Sequence, residues 1–493
     1  MLGRQTALGS FLLIGSRLLA RTLDLVTMLV LARVLQPVDF GLVAITMSIV
    51  VIVETILELP LNQALLRLST ISRAHYDTAF TLGLIRGILL SVILFSLAWP
   101  LAQIYEDGRI IWLTCFLALG PAARGLINPC FAQYQKNMNF WRDPIVELSG
   151  KFMGFCASIF VALLTTNYWA IAVGSVVFPI AMMVMSYVML PYRPRLTVSE
   201  LPIFLDFIGW ISAAQFLRAI NWQSERLLLG KLVTKTDLGL FSSANDLANI
   251  LMLALLEPLQ RPLLSALSNV HDQPKRLANA YQTSSSVIIA IGLPILVGES
   301  LLAEPAIRLV LGEKWLAAVP LLRWLPLSLI PSLFTLAAIP LFMAQSQTHA
   351  FFRRNLIEFC IKIPLLILGA IYFGMLGVIF ARCVSEIAAN IYSASVVQRL
   401  LNIPIMDQAL IGSRSVLSVI IMVPVVMFCE SKMHFVPDVI TTLIDTLVLA
   451  SIGASVYCTA AWILWRLAGR PAGLEAIIVG VLVLVVNKIT PKL

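Results

Sequence analysis

LARVLQPVDFGL (residues 31–42) returns as LGKLVTKTDLGL (229–240), and this match decides how the rest of the chain is read. At the same offset Pro60 falls on Pro258. Further along, AQYQ (132–135) matches AQSQ (344–347), and Glu147-x-x-x-Lys151 matches Glu358-x-x-x-Lys362 at nearly the same spacing. Long-period self-similarity of this kind marks a duplicated bundle.

Composition places the duplication in a membrane. The 493 residues are 59% hydrophobic and 12% charged, with a mean hydropathy of +0.91. A soluble chain of this length would form several domains with a far more charged surface. Apolar stretches able to cross about 30 Å of hydrocarbon recur from end to end. The fold class is therefore an all-α polytopic membrane protein. Fourteen spans are predicted, at 8–35, 40–66, 78–104, 110–133, 145–164, 168–190, 202–232, 237–265, 283–303, 319–344, 354–373, 375–398, 408–428 and 439–465. AIIVGVLVLVV (476–486) is too short to span and is expected at the interface or against the bundle.

The repeat divides the spans into an N-lobe of six (1–200) and a C-lobe of six (201–405), with two more helices and the apolar tail in 406–493. An even number of spans per half makes the halves parallel, related by an axis along the membrane normal. PYRPRLTVSE (191–200) is the expected linker. Two parallel six-helix lobes form a transporter architecture, with a substrate site expected between the halves near the midplane.

The net charge of +9 comes from Lys and Arg gathered on one side. Arg4, Arg67, Arg73, Lys136, Arg142, Arg193 and Arg195 share the side of the amino end in the first half, against Arg33 and Arg109 opposite. The positive-inside rule then puts both ends in the cytoplasm, and nucleic acid is not indicated. None of the seven cysteines forms a CxxC pair, so neither a metal site nor a disulfide framework is expected. No cleavable signal peptide is evident at the amino end. No nucleophile–base set, phosphate-cradling glycine loop or ATPase-sized loop appears, so a non-enzyme without cofactor is expected, energised by an ion gradient or by consumption of its product.

The charges inside the spans carry the chemistry. GSRLLARTLDLVT (15–27) places Arg17, Arg21 and Asp24 on one helical face at i, i+4 and i+7. Arg21 lies roughly 20 Å along the first span. The seventh span has Arg218 and Glu225, also i and i+7, with Asn221 between them. Two readings fit. Arg21 with Asp24, and Arg218 with Glu225, neutralise one another; or Arg17, Arg21 and Arg218, joined by Arg86 and Arg124, line a cationic central cavity for an anionic head group. Asp24, Glu54 and Glu225 are the candidates for coupling to H⁺ or Na⁺. Glu147/Lys151 and Glu358/Lys362 read as local i, i+4 ion pairs, and NYW (167–169) and FFRR (351–354) as interfacial anchors.

LARVLQPVDFGLVAI (31–45), TAFTLGLIRGILL (78–90) and GEKW (312–315) on this two-lobe plan resemble the bacterial Wzx-type polysaccharide flippases. These belong to the multidrug/oligosaccharidyl-lipid/polysaccharide exporter superfamily, and the resemblance is to its colanic-acid and exopolysaccharide branch. It implies translocation of undecaprenyl-diphosphate-linked oligosaccharide repeat units from the cytoplasmic to the periplasmic leaflet, by alternating access, for exopolysaccharide or O-antigen assembly. Membrane lipids, a polysaccharide polymerase and a chain-length regulator are the partners it implies. A drug efflux pump of the same superfamily and a non-transporting scaffold are the rival readings. The pump would have a more acidic or apolar cavity, and the scaffold would need no buried charge stripe.

Overall fold

Asp39 and Asp237 stand at the third position of the two helices that follow the repeated motif, and each closes its helix start. Asp39 Oδ2 accepts the N–H of Gln36 at 3.1 Å. In the second copy, Thr234 Oγ1 donates to Asp237 Oδ2 at 2.7 Å and accepts the Asp237 N–H at 3.1 Å. N–H groups that a helix start leaves without partners are thus satisfied in both copies.

The computed structural model describes residues 2–59, 61–68, 70–136, 141–205, 210–433, 439–471, 473–477 and 479, and these form helices and short turns with no strand among them. The chain divides into two compact units, Met1–Ser243 and Ala244–Leu493. The first begins with α1 (Leu2–Val34), α2 (Pro37–Ile56), α3 (Leu61–Arg67), α4 (Arg73–Ile104), α5 (Arg109–Leu117), α6 (Leu119–Gly125) and α7 (Phe131–Lys136). It continues with α8 (Arg142–Thr165), α9 (Trp169–Met189), α10 (Leu201–Leu205), α11 (Trp210–Leu232) and the start of α12 (Lys235–Leu251). The second holds α13 (Gln260–Ser268), α14 (Pro274–Leu301), α15 (Ala303–Val310), α16 (Val319–Leu333) and α17 (Ala338–Ala344). Its last helices are α18 (Thr348–Leu401), α19 (Ile405–Leu410), α20 (Ser413–Glu430) and α21 (Val439–Leu467).

Within the first unit the two copies of the motif meet. A Cβ on Gly41 would fall on the Lys235 carbonyl oxygen and 3.0 Å from the Gly239 nitrogen. A Cβ on Gly239 would fall on the Pro37 carbonyl oxygen and 3.1 Å from the Gly41 nitrogen. Gly41 and Gly239 are repeat partners, as are Pro37 and Lys235, so the contact is reciprocal. Only glycine lets the two helix starts approach this closely. The α11–α12 corner is held from a third side by the turn after α4. Asp107 accepts from Arg109 and from Lys235 Nζ, Glu106 pairs with Lys231, and Tyr105 Oη donates to the Leu227 carbonyl at 3.2 Å. Burial pushes the Asp107 carboxyl up, but the hydrogen bonds from Arg109 and Lys235 outweigh it and hold the group well below the usual carboxylate range.

Several expected spans are interrupted. The stretch 110–133 is α5, α6 and α7, and 237–265 breaks at a π-helical turn (Met252–Leu256) and a 3₁₀ turn (Glu257–Leu259) around Pro258, which has no N–H to give. In α18 the chain turns back at Gly374, whose φ of 59° suits glycine. Arg354 on one arm of α18 bonds Glu386 on the other. Ten described helices are long and apolar enough to cross a membrane. The charge-bearing α1 and α11 are not among them, and the two arms of α18 count there as one. Large apolar side chains cover the outside, Phe373 at 76% exposure among them, while Asn249 and Ser393 lie inside. A surface of this kind faces lipid, and the protein is a multi-pass membrane protein. The stretch 476–486 falls mostly outside the described residues.

Gly41→Val and Gly239→Val are each expected to cost about 1–3 kcal/mol or more by overpacking against backbone, whereas Gly298→Ala, with open space around it, is expected to be neutral. The check is the thermal unfolding midpoint of the detergent-solubilised protein. Equal midpoints for all three variants would contradict the close contact.

Candidate functional site

Two charge clusters form in the N-terminal unit. In the first, α1 packs along α8 and presents Arg21 and Asp24 to Lys151. Lys151 Nζ lies 2.5 Å from both carboxylate oxygens of Asp24, and Arg21 Nη1 is 3.6 Å from Asp24 Oδ2. The Arg21 and Asp24 side chains each keep 42% of their surface exposed, and Lys151 keeps 16%. The Lys151 ammonium also lies 5.9 Å from the centre of the Phe178 ring. One carboxylate therefore holds two cations, and the cluster carries a positive excess at a half-open position.

The second cluster joins α2, α4 and α6. Arg124 Nη1 donates to Glu54 Oε2 at 2.5 Å, and Arg86 Nη2 donates to the Glu54 carbonyl oxygen at 3.1 Å. Three residues that the sequence nominated separately are thus in one place, Arg124 on the Glu54 carboxylate and Arg86 on its backbone carbonyl. Arg86 is turned towards protein, its Nε buried without a hydrogen-bond partner. On α11, Arg218 is exposed and Glu225 buried. Arg17 lies on α1, and its side chain is outside the described residues.

Some readings are corrected. Lys151 reaches across to Asp24 rather than pairing with Glu147, which is exposed. The i, i+4 rule weighs only neighbours on the same helix and misses a carboxylate on the next one. FFRR is not an interfacial anchor throughout. Phe351 is buried, and Arg354 is 8% exposed and bridges Glu358 (3.1 Å) and Glu386. Nearby, Arg382 Nη1 donates to Asn245 Oδ1 at 2.8 Å, and Lys362 is 4% exposed. This buried network in the C-terminal unit was missed, although Arg354/Glu358 and Arg382/Glu386 both stand at i, i+4 in the sequence. Glu299 on α14 was also passed over; it is buried, with Oε2 lacking a hydrogen-bond partner.

The expected linker is a strap docked on α4. Asp77 Oδ1 accepts the Tyr192 hydroxyl (2.5 Å) and the Arg195 N–H (3.1 Å). The Thr197 N–H donates to Thr81 Oγ1 at 3.0 Å, and Arg73 Nη2 donates to the Arg193 carbonyl at 3.3 Å. Burial and the bond to Asp77 push the Tyr192 hydroxyl above its ordinary range, so it remains a donor.

With this geometry in view, residues 30–320 match the polysaccharide biosynthesis protein family. The chain belongs to that family. Among relatives, the succinoglycan biosynthesis transport protein ExoT of Rhizobium meliloti is 24% identical over 454 residues, 90% of this chain and 91% of its own. The lipopolysaccharide biosynthesis protein WzxC of Escherichia coli K12 is 23% identical over 382 residues, 75% of this chain and 76% of its own. Among solved structures, the lipid II flippase MurJ in an inward closed conformation superposes with a TM-score of 0.74 at 16% identity, covering 93% of this chain and 99% of that one. The last is a likeness of fold. Membership of the family agrees with the resemblance that the repeated motif carries.

Asp77→Ala removes the acceptor of two strap donors, each worth about 1–3 kcal/mol when left unsatisfied. Trypsin cleavage after Arg195 in detergent-solubilised protein is expected to speed up by about tenfold or more. An unchanged cleavage rate would show that the strap is not held by Asp77.

Proposed function

We propose that this chain is a flippase that carries lipid-linked oligosaccharide repeat units across a bacterial inner membrane. The supporting observation is the match to a polysaccharide transport protein over nine-tenths of both chains. Fourteen spans, arranged as six in 1–200, six in 201–405 and two in 406–493, alternate access to the two leaflets, with both termini cytoplasmic. The cargo is an undecaprenyl diphosphate bearing the glycan, moved outward for exopolysaccharide or O-antigen assembly. A polymerase and a chain-length regulator act on it afterwards.

The chemistry of the charges supports this cargo over a cationic drug. Arg21 shares a single carboxylate, Asp24, with Lys151, so that cluster favours an anion, and Arg124 on the Glu54 carboxylate with Arg86 on the Glu54 carbonyl adds two further cations. Arginine forks match diphosphate oxygens in pairs. Arg21 heads the binding group, with Arg17, Arg218, Arg86 and Arg124 as further cationic contacts. Asp24, Glu54 and Glu225 are the carboxylates that balance them and are the places where a coupling cation or proton would act. A scaffold would have no use for half-exposed charges at this depth in a span.

Cells lacking the protein are expected to accumulate polyprenyl-diphosphate oligosaccharide in the cytoplasmic leaflet. Wild type relieves this; Arg21→Ala, at equal abundance, leaves at least about tenfold more of it, the loss expected for one charge-assisted contact. Absence of accumulation in the deletion strain would overturn the flippase reading.

A further inference from the structure

The Glu-x-x-x-Lys motif occurs twice, and its two lysines, both largely covered, have different surroundings. Lys362 is 4% exposed in a unit where Arg354 ties Glu358 to Glu386. Lys151 reaches off its own helix to Asp24 on α1, and Asp24 is 42% exposed. The second copy is a closed network inside the protein. The first is a link between two helices that the surroundings can reach.

The Asp24 side of the pair is open while Lys151 keeps only 16% of its surface exposed, and a pair with one open member is exchanged more readily than a fully buried one. Asp24 offers one charge to Lys151 and Arg21 together. A diphosphate brings more charge and more acceptor oxygens, and it can engage the arginine fork in pairs. We propose that Asp24 is the resident anion of a diphosphate site made by Arg21 and Lys151. The incoming diphosphate displaces the Asp24 carboxylate from both cations, and loss of the Lys151–Asp24 link frees α1 from α8. When the cargo leaves, Asp24 closes the link again and neutralises the empty site. Lys151 thereby joins the cargo-binding residues, and Asp24 times the release of α1. This rests on the flippase reading above.

The test uses full-length purified protein in nanodiscs, with undecaprenyl diphosphate as the probe and undecaprenol as the control. Spin labels at Leu19→Cys on α1 and Phe152→Cys on α8, both exposed positions, report the helix separation after the seven native cysteines are replaced by serine. The diphosphate is expected to widen the label separation and undecaprenol to leave it unchanged. Asp24→Asn, close in shape to the native side chain, is expected to bind the diphosphate about tenfold more tightly and to show the wide separation without ligand. Lys151→Gln is expected to bind about tenfold more weakly and also to be wide without ligand. If Asp24→Asn binds as weakly as Lys151→Gln, Asp24 positions the cations rather than competing for them, and the proposal falls. An unchanged label distance on diphosphate binding to wild type overturns it equally. Failure of wild type to bind the diphosphate at all removes the flippase reading and this proposal with it.

Discussion

The constraint on which the N-terminal unit depends is the close backbone contact of Gly41 with Gly239. Each glycine sits where any side chain would strike a carbonyl of the other copy, Lys235 in one direction and Pro37 in the other. The capping carboxylates Asp39 and Asp237, two residues before the glycines, finish the helix starts so that the contact surfaces are regular helix. Asp39 also accepts the Tyr168 N–H at 3.1 Å, which fixes the turn between α8 and α9 to the same point. The positions of α1, α8 and α9, and with them the Asp24–Lys151 link, follow from this junction. A motif of the form Asp-x-Gly thus has a mechanical cause: cap, spacer, contact.

Charges inside the spans fall into two physical regimes. In the N-terminal unit Arg21, Asp24 and Arg124 are partly open, Asp24 is shared by two cations, and Glu54 takes Arg124 on its carboxylate and Arg86 on its backbone carbonyl. In the C-terminal unit Arg354, Glu358 and Glu386 are withdrawn from the surface and hold the two arms of α18 together. Breaking a buried pair by removing one member leaves an uncompensated charge and is strongly destabilising. Exposed pairs contribute little to stability. The N-terminal charges are therefore weaker structural devices, which leaves them open to the binding role proposed for them, whereas the C-terminal ones are suited to holding structure.

The repeat, the helical class and the two charge-bearing helices were legible in the sequence because each leaves a local or periodic mark. Pro258 sits at the break in its span, and the fold-back in α18 lies between the spans expected at 354–373 and 375–398. Partners across helices left no such mark. Lys151 has a carboxylate four residues before it, and nothing in the sequence says that Asp24, far away in the chain, is nearer. The strap read as a free linker because its Pro and Arg residues resemble one; its acceptors, Asp77, Thr78 and Thr81, lie on a helix over a hundred residues earlier. Arg354 looked like a basic flank because the pattern shows charge and not depth.

The central claim is that the N-terminal charges receive a lipid diphosphate. It is tested most directly by reconstituting the purified protein in liposomes with a fluorescent undecaprenyl-diphosphate sugar and measuring its appearance in the opposite leaflet. The expected result is transfer that requires the diphosphate, with a neutral polyprenyl glycoside left behind, and that is lost when Arg21 and Lys151 are both replaced by glutamine in folded protein. Equal transfer of the neutral glycoside, or full transfer by the double variant, would contradict it.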